Sequence, residues 1–206
     1  MIPFPSTLFG NSGFGNWNPA DTSTGVLSNF DLTYTANISG TPYTRATFGA
    51  SAGKFYFEVL LSLVNASTLT GFGIATKTAT YANMQASGLN CAMLTNFGAN
   101  SPMYVNGTQV ISNLGASNNN HCGCAINFAT QLIWFRPAPA SNWNNSGTAN
   151  PATGTGGQSI SGLSGSLFPF CTINTGHAGS NSMTANFGAS AFSGTAPTGF
   201  NPGWPN

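Results

Sequence analysis

Few side chains in this sequence can do acid–base, nucleophilic or metal chemistry. The carboxylates are Asp21, Asp31 and Glu58, the histidines His121 and His177, and the thiols Cys91, Cys122, Cys124 and Cys171. Catalysis by paired carboxylates needs two acids that converge. Glu58 lies on an apolar, strand-like run and reads as a structural carboxylate paired with Arg45, Lys54 or Arg136. A Ser/His/Asp triad would have to use His121 or His177, and His177 sits in a turn-like stretch. Serines are so abundant that their proximity carries no information. The nucleophile-elbow pattern is absent, because Gly162-Leu163-Ser164 runs into Gly165-Ser166. Gly154, Gly156 and Gly157 follow no strand that leads into a helix, so they form no phosphate loop. Cys122-Gly123-Cys124 is not the spacing of redox or zinc sites. In a strand these two thiols would share a face about 7 Å apart, too far to bridge each other. The cysteines read as small apolar core residues, with a disulfide from Cys91 to Cys122 or Cys124 as the alternative. The expectation is no catalytic residue, no metal and no cofactor.

Binding is better served than catalysis. Trp143 stands among Asn142, Asn144 and Asn145. An exposed aromatic flanked by amides suits sugar stacking with hydroxyl hydrogen bonds, or a protein contact; the alternative is a Trp folded back over the end of a sheet. Tyr104 and Tyr81 are weaker candidates of the same kind.

These residues must be positioned by strands. The run Gly53–Val64 places Phe55, Phe57, Val59, Leu61 and Leu63 at every second position, so they share one face of an extended chain. Its other face is mixed rather than polar, which predicts a strand inside a sheet with most of both faces covered. Gly71 and Gly73 predict a bulge or a close backbone approach in the next strand. Asn106-Gly107 is the strongest hairpin signal, and only Tyr81–Leu89 could hold a helical turn. Trp17–Asp21 reads as a turn-like lead-in, and 141–157 as a long loop. Short strands at this spacing, with little helix, predict an all-β antiparallel β-sandwich or barrel.

Only 3% of the 206 residues are charged, while 12% are aromatic; an ordinary globular chain carries roughly 25% charged residues. Aromatic content argues against disorder, and the scarcity of Lys and Arg argues against nucleic acid. No apolar run reaches the roughly 20 residues that span a bilayer, so no membrane insertion is expected. The first residues have no basic stretch followed by an apolar core, so no secretory signal is expected. Residues 1–16 carry Phe4, Leu8, Phe9 and Phe14 among prolines and glycines and read as an assembly arm or edge segment, ahead of a domain over 17–206.

The order of the pieces resembles the SPRY domain, in its bacterial and phage branch. The matching stretches are Trp17–Asp21 with Val26–Asn29, Gly53–Val59, Gly71–Ala75, Gly123–Phe128 with Leu132–Phe135, Phe168-Pro169, Asn186–Gly188 and Pro197–Phe200. The loop from Asn142 to Gly157 is similar to the phage and bacterial branch more narrowly. Asn127 departs from the family's usual acidic residue, and Pro137-Ala138-Pro139 stands for its Asn-Gly turn. The resemblance implies a concanavalin-like two-sheet sandwich that binds partners through loops at one end, without catalytic machinery. Together with the low charge, it leads to the expectation of a phage virion component (decoration, fibre or tail-associated subunit), made in the host cytoplasm. Its expected partners are other virion subunits or itself; a soluble peptide- or carbohydrate-binding module, reading a cell-surface glycan through its loops, is the alternative.

Overall fold

A computed structural model describes residues 13–36, 41–62, 70–84, 88–95, 100–139, 141–173 and 181–206. Its strands, in chain order, are β1 (Trp17–Ser23), β2 (Gly25–Ser28), β3 (Thr33–Ala36), β4 (Tyr43–Ala46), β5 (Lys54–Ser62), β6 (Gly71–Thr76), β7 (Cys91–Thr95) and β8 (Met103–Val105). They continue as β9 (Thr108–Ile111), β10 (His121–Asn127), β11 (Leu132–Ala138), β12 (Gln158–Ser159), β13 (Leu167–Thr172), β14 (Ser182–Asn186) and β15 (Asn201–Pro202). One sheet runs β1-β4-β13-β6-β7-β8-β9. The other runs β12-β11-β10-β5-β14-β3-β2, with β15 added parallel to β5. The fold is the expected antiparallel two-sheet sandwich, not a closed barrel.

β5 lies inside its sheet, between β10 and β14. Phe57, Val59 and Leu61 are fully buried between the sheets, and Phe55 packs at the margin of the same core; Leu63 lies outside the described residues. Tyr56 and Glu58, on the opposite face, are fully buried as well. They are covered by the 141–157 loop and the closing segment, whose Phe192, Phe200 and Trp143 pack with Tyr56 and Trp134. The mixed face is thus an inner layer under loops, not a wet surface. In a sheet this short of charge, covering both faces is how enough apolar area leaves water.

Two glycines mark close approaches. A Cβ on Gly73 would lie 2.0 Å from the Ala92 carbonyl oxygen, across an in-register β6–β7 pair, so the chain uses close approach there and not a bulge. Gly203 has φ +117° and a Cβ there would lie 2.3 Å from the Phe187 carbonyl oxygen. It lets its own N–H reach the Tyr56 carbonyl at 2.7 Å while the Trp204 N–H reaches Phe187 at 2.9 Å.

Several local expectations need correction. Trp17–Asp21 is not a turn but the start of edge strand β1, with a register shift between Trp17 and Thr22; Pro19 is tolerated because an edge strand has one unpaired side. Pro137 is not in a turn either. It pairs with Cys122 inside β11, beyond the short stretch covered by β12. The β10–β11 turn is closed instead by Asn127, whose Oδ1 accepts the Ala129 and Thr130 N–H groups at 3.1 and 3.4 Å. The Asn106-Gly107 hairpin forms between β8 and β9, with both residues left-handed (φ +45° and +86°). A helical turn occupies 81–84, and Thr80 and Asn83 cap it reciprocally. The four cysteines are free and buried, and burial pushes their thiols well above the usual range.

Candidate interaction surface

Four of the seven charged side chains are spent in two internal networks, one on the outer face of each sheet. On the β5 sheet, Glu58 accepts the Ser193 and Gly194 N–H groups at 2.8 and 2.7 Å and the Tyr56 hydroxyl. His121 Nδ1 lies 3.9 Å from its other edge. The expected ion pair with Arg45, Lys54 or Arg136 does not form: backbone amides of the closing segment reach the carboxylate first. Burial, and then the Glu58 hydrogen bond, push the Tyr56 phenol above its usual range. Glu58 therefore pins the closing segment to the sheet. On the other sheet, Arg45 grips Asp21 through two N–H groups (3.0 and 3.1 Å) and donates to the Thr76 and Ala79 carbonyls. Lys77 reaches the same carboxylate at 2.7 Å. Burial alone would raise the Asp21 carboxyl, but the bonds from Arg45 and Lys77 outweigh it and lower it.

The Trp143 group is assembled, though not as an open platform. Residues 143–145 form a 3-10 turn against β11. Trp143 is only 8% exposed; the Arg136 guanidinium lies 4.3 Å over its ring, and the Tyr56 ring meets it edge-on at 6.1 Å. Asn144 is buried, accepting the Phe135 N–H (2.9 Å) and donating to the Gly156 carbonyl (2.9 Å). Asn145 donates to the Asn113 carbonyl at 3.1 Å, and Asn142 stays exposed. Of the amides that the sequence offers to a ligand, Asn144 holds the loop to its own sheet and Asn145 ties it to the segment after β9. Tyr104 is half-buried on the outer face of the opposite sheet, bonded to Gln109 at 3.0 Å, and Tyr81 heads the helical turn over that same sheet. The fold does not bring these tyrosines to Trp143. Of the arm residues, Phe4, Leu8 and Phe9 lie outside the described residues. Phe14 is half-buried beside Gly188, and Gly15 donates to the Trp204 carbonyl at 3.0 Å.

The residue that sequence reading passed over is Phe30. The β2–β3 turn holds Asn29, Phe30 and Asp31 at φ +54°, +56° and +60°, and Phe30 is 93% exposed. Asn and Asp tolerate the left-handed region, but a phenylalanine there costs roughly 1–2 kcal/mol. The flanks enforce the conformation: the Leu32 N–H bonds the Asn29 carbonyl at 3.1 Å, and the Trp17 N–H bonds the Asp31 carbonyl at 2.8 Å. Beside the turn, Val26 is 56% exposed on β2. A cleft of about 380 Å³ is lined by Pro19, Thr22, Gly25, Val26, Leu27 and Asp31. The only sequence signal was Asn and Asp flanking an aromatic between two strands. By register through β14, this turn points toward the end of the sandwich that carries the β4–β5, β10–β11 and β12–β13 connections. A second cleft at that end, about 360 Å³, is lined by Ser51, Phe128, Gln131, Ser161, Ser164 and apolar neighbours, with no charged group.

The architecture is that of a SPRY-like β-sandwich. The chain is similar to the SPRY domain of human HERC1 (TM-score 0.63, 11% identity, over 85% of this chain and all of that one) and to the PSpry domain of TRIM65 (0.57, 12%, 84% and 92%). It is also similar to stonustoxin (0.55, 12%, 84% of this chain), over 27% of that longer chain. No protein-family model and no curated sequence matches it. No group of three His, Cys, Asp or Glu able to hold a metal occurs among the described residues, and none of their helices is long and apolar enough to cross a membrane.

Proposed function

We propose that this chain is a non-enzymatic interaction protein that docks on other proteins through the Phe30 turn. The observation that carries this reading is an almost fully exposed phenylalanine held in a conformation phenylalanine disfavours. Neither feature serves the core, and strain stored at an exposed loop is characteristic of recognition sites. The SPRY-like fold supports it, since that family is expected to bind partners through loops at one end. The finer reading is that the assembly is a phage virion. It is supported by the neutral polar surface, which associates readily, and by the apolar arm, where Phe4, Leu8 and Phe9 would seat on a neighbouring subunit. Phe30→Asp in the full chain should not lower its melting temperature, since Asp tolerates the left-handed region, while removing it from purified particles. Retention of the variant in particles would overturn the Phe30 reading; absence of the unaltered chain from particles would overturn the virion reading alone. The charge-free cleft at the same end favours a second reading, an uncharged glycan bound among Ser51, Gln131, Ser161 and Ser164, and a glycan array reads it directly.

A further inference from the structure

Four observations meet at β2. First, β2 pairs only with β3 among the described residues, so its other side is an open row of backbone donors and acceptors. Natural sheets blunt such edges with charge, proline, bulges or short length. The other edges here do so: β1 has Pro19 and a register shift, β9 meets β8 through a register shift, and β12 has two residues. The β2 sequence Gly-Val-Leu-Ser carries no charge and no proline, and its four residues pair with β3 without a register shift. Second, the cleft of about 380 Å³ opens beside this edge, with Val26 and Leu27 in its lining. Third, Asp31 lines the same cleft, and its carboxylate has no hydrogen bond or ion pair among the described residues, whereas Asp21 and Glu58 are fully engaged. Fourth, the chain's own four Lys and Arg side chains are occupied. Arg45 and Lys77 are on Asp21, Arg136 lies over Trp143 and donates to Thr195, and Lys54 lies over the Phe200 ring.

We propose that the β2 edge takes up an extended segment of a different protein. Its backbone pairs with Gly25–Ser28, one apolar side chain seats in the cleft, and a lysine or arginine lies against Asp31. Phe30 closes over the added strand. This is strand addition, with backbone bonds giving affinity and the cleft and Asp31 giving selectivity. A second copy of this chain is a poor occupant because it brings no uncommitted Lys or Arg. The inference rests on the reading of the Phe30 turn as an interaction surface and adds the chemistry of the partner.

The test is an NMR titration of the isotopically labelled full chain, in low-salt buffer, with the peptide Thr-Val-Thr-Val-Lys-Val-Thr and counterparts carrying Glu or Gln in place of Lys. The β2 amides should shift, and the Lys peptide should bind roughly fivefold more tightly than the Glu peptide, the ratio set by reversing one partly exposed charge pair. Asp31→Asn should bring the three peptides to within about twofold of each other. Phe30→Ala should weaken all three and keep the ratio. Absence of shifts at β2, or equal binding of the three peptides, overturns the inference; the Phe30 reading then still stands if Phe30→Asp is lost from the assembly. Shifts that emerge only after residues 1–12 are deleted would make the chain's own segment the occupant and also overturn it.

Discussion

Trp143 and Phe30 are two large aromatics in Asn-rich turns, each next to left-handed residues, yet one is 8% exposed and the other 93%. The difference lies in the flanking polar groups. Around Trp143, Asn144 bonds inward to β11 and to Gly156, and Arg136 caps the ring, so the turn is clamped onto the sheet. Around Phe30, only the backbone is tied, through Asn29, Leu32 and Asp31, and the ring is left with nothing beneath it. An aromatic among amides is therefore not enough to mark a binding site. What matters is whether those amides are spent on the fold.

Trp143→Ala should cost roughly 3–5 kcal/mol, as for other buried aromatics, while Phe30→Ala should leave the denaturant midpoint nearly unchanged. Equal costs would remove the distinction. Asn144→Ala should cost about 1–3 kcal/mol, because it leaves the buried Phe135 N–H without its acceptor. Phe30→Gly should instead stabilise by up to about 1 kcal/mol by relieving the left-handed strain. A destabilised Phe30→Gly would mean that the ring packs on something.

These contrasts also show what the sequence could carry. The alternation through β5 announced a strand covered on both faces, and Asn106-Gly107 announced its hairpin, because both signals are local. The two-residue β12 and β15 have no period to read. The burial of Trp143 depends on Arg136 and Tyr56, which reach it only through the fold. The left-handed Phe30 was illegible for another reason: its conformation runs against its own preference and is set by the bonds at its flanks. The cover over Glu58 was equally hidden, since two backbone amides carry no side-chain signature.

A smaller effect concerns the boundary of the folded unit. Deleting residues 1–12 should leave the melting temperature unchanged. Deleting 1–16 should lower it, because Gly15 bonds Trp204 and Asn16 accepts the Thr47 N–H at 2.9 Å. Equal melting temperatures would place Gly15 and Asn16 outside that unit. The smallest expected effect is at the other clamped network. The Asp21 carboxyl is lowered from its ordinary 3.8. Its contribution is therefore fully present above about pH 4, and is lost as pH falls through the folded value. Asp21→Asn should flatten that acid limb of the stability profile; an unchanged limb would mean the Arg45 pair contributes nothing to it.

The most direct test of the central claim is site-specific photo-crosslinking in the intact assembly. A benzophenone side chain is placed either at position 30 or at exposed position 142, beside Trp143. Cross-links to another polypeptide are expected from position 30 and none from position 142. Cross-links from 142 with none from 30 would contradict that claim.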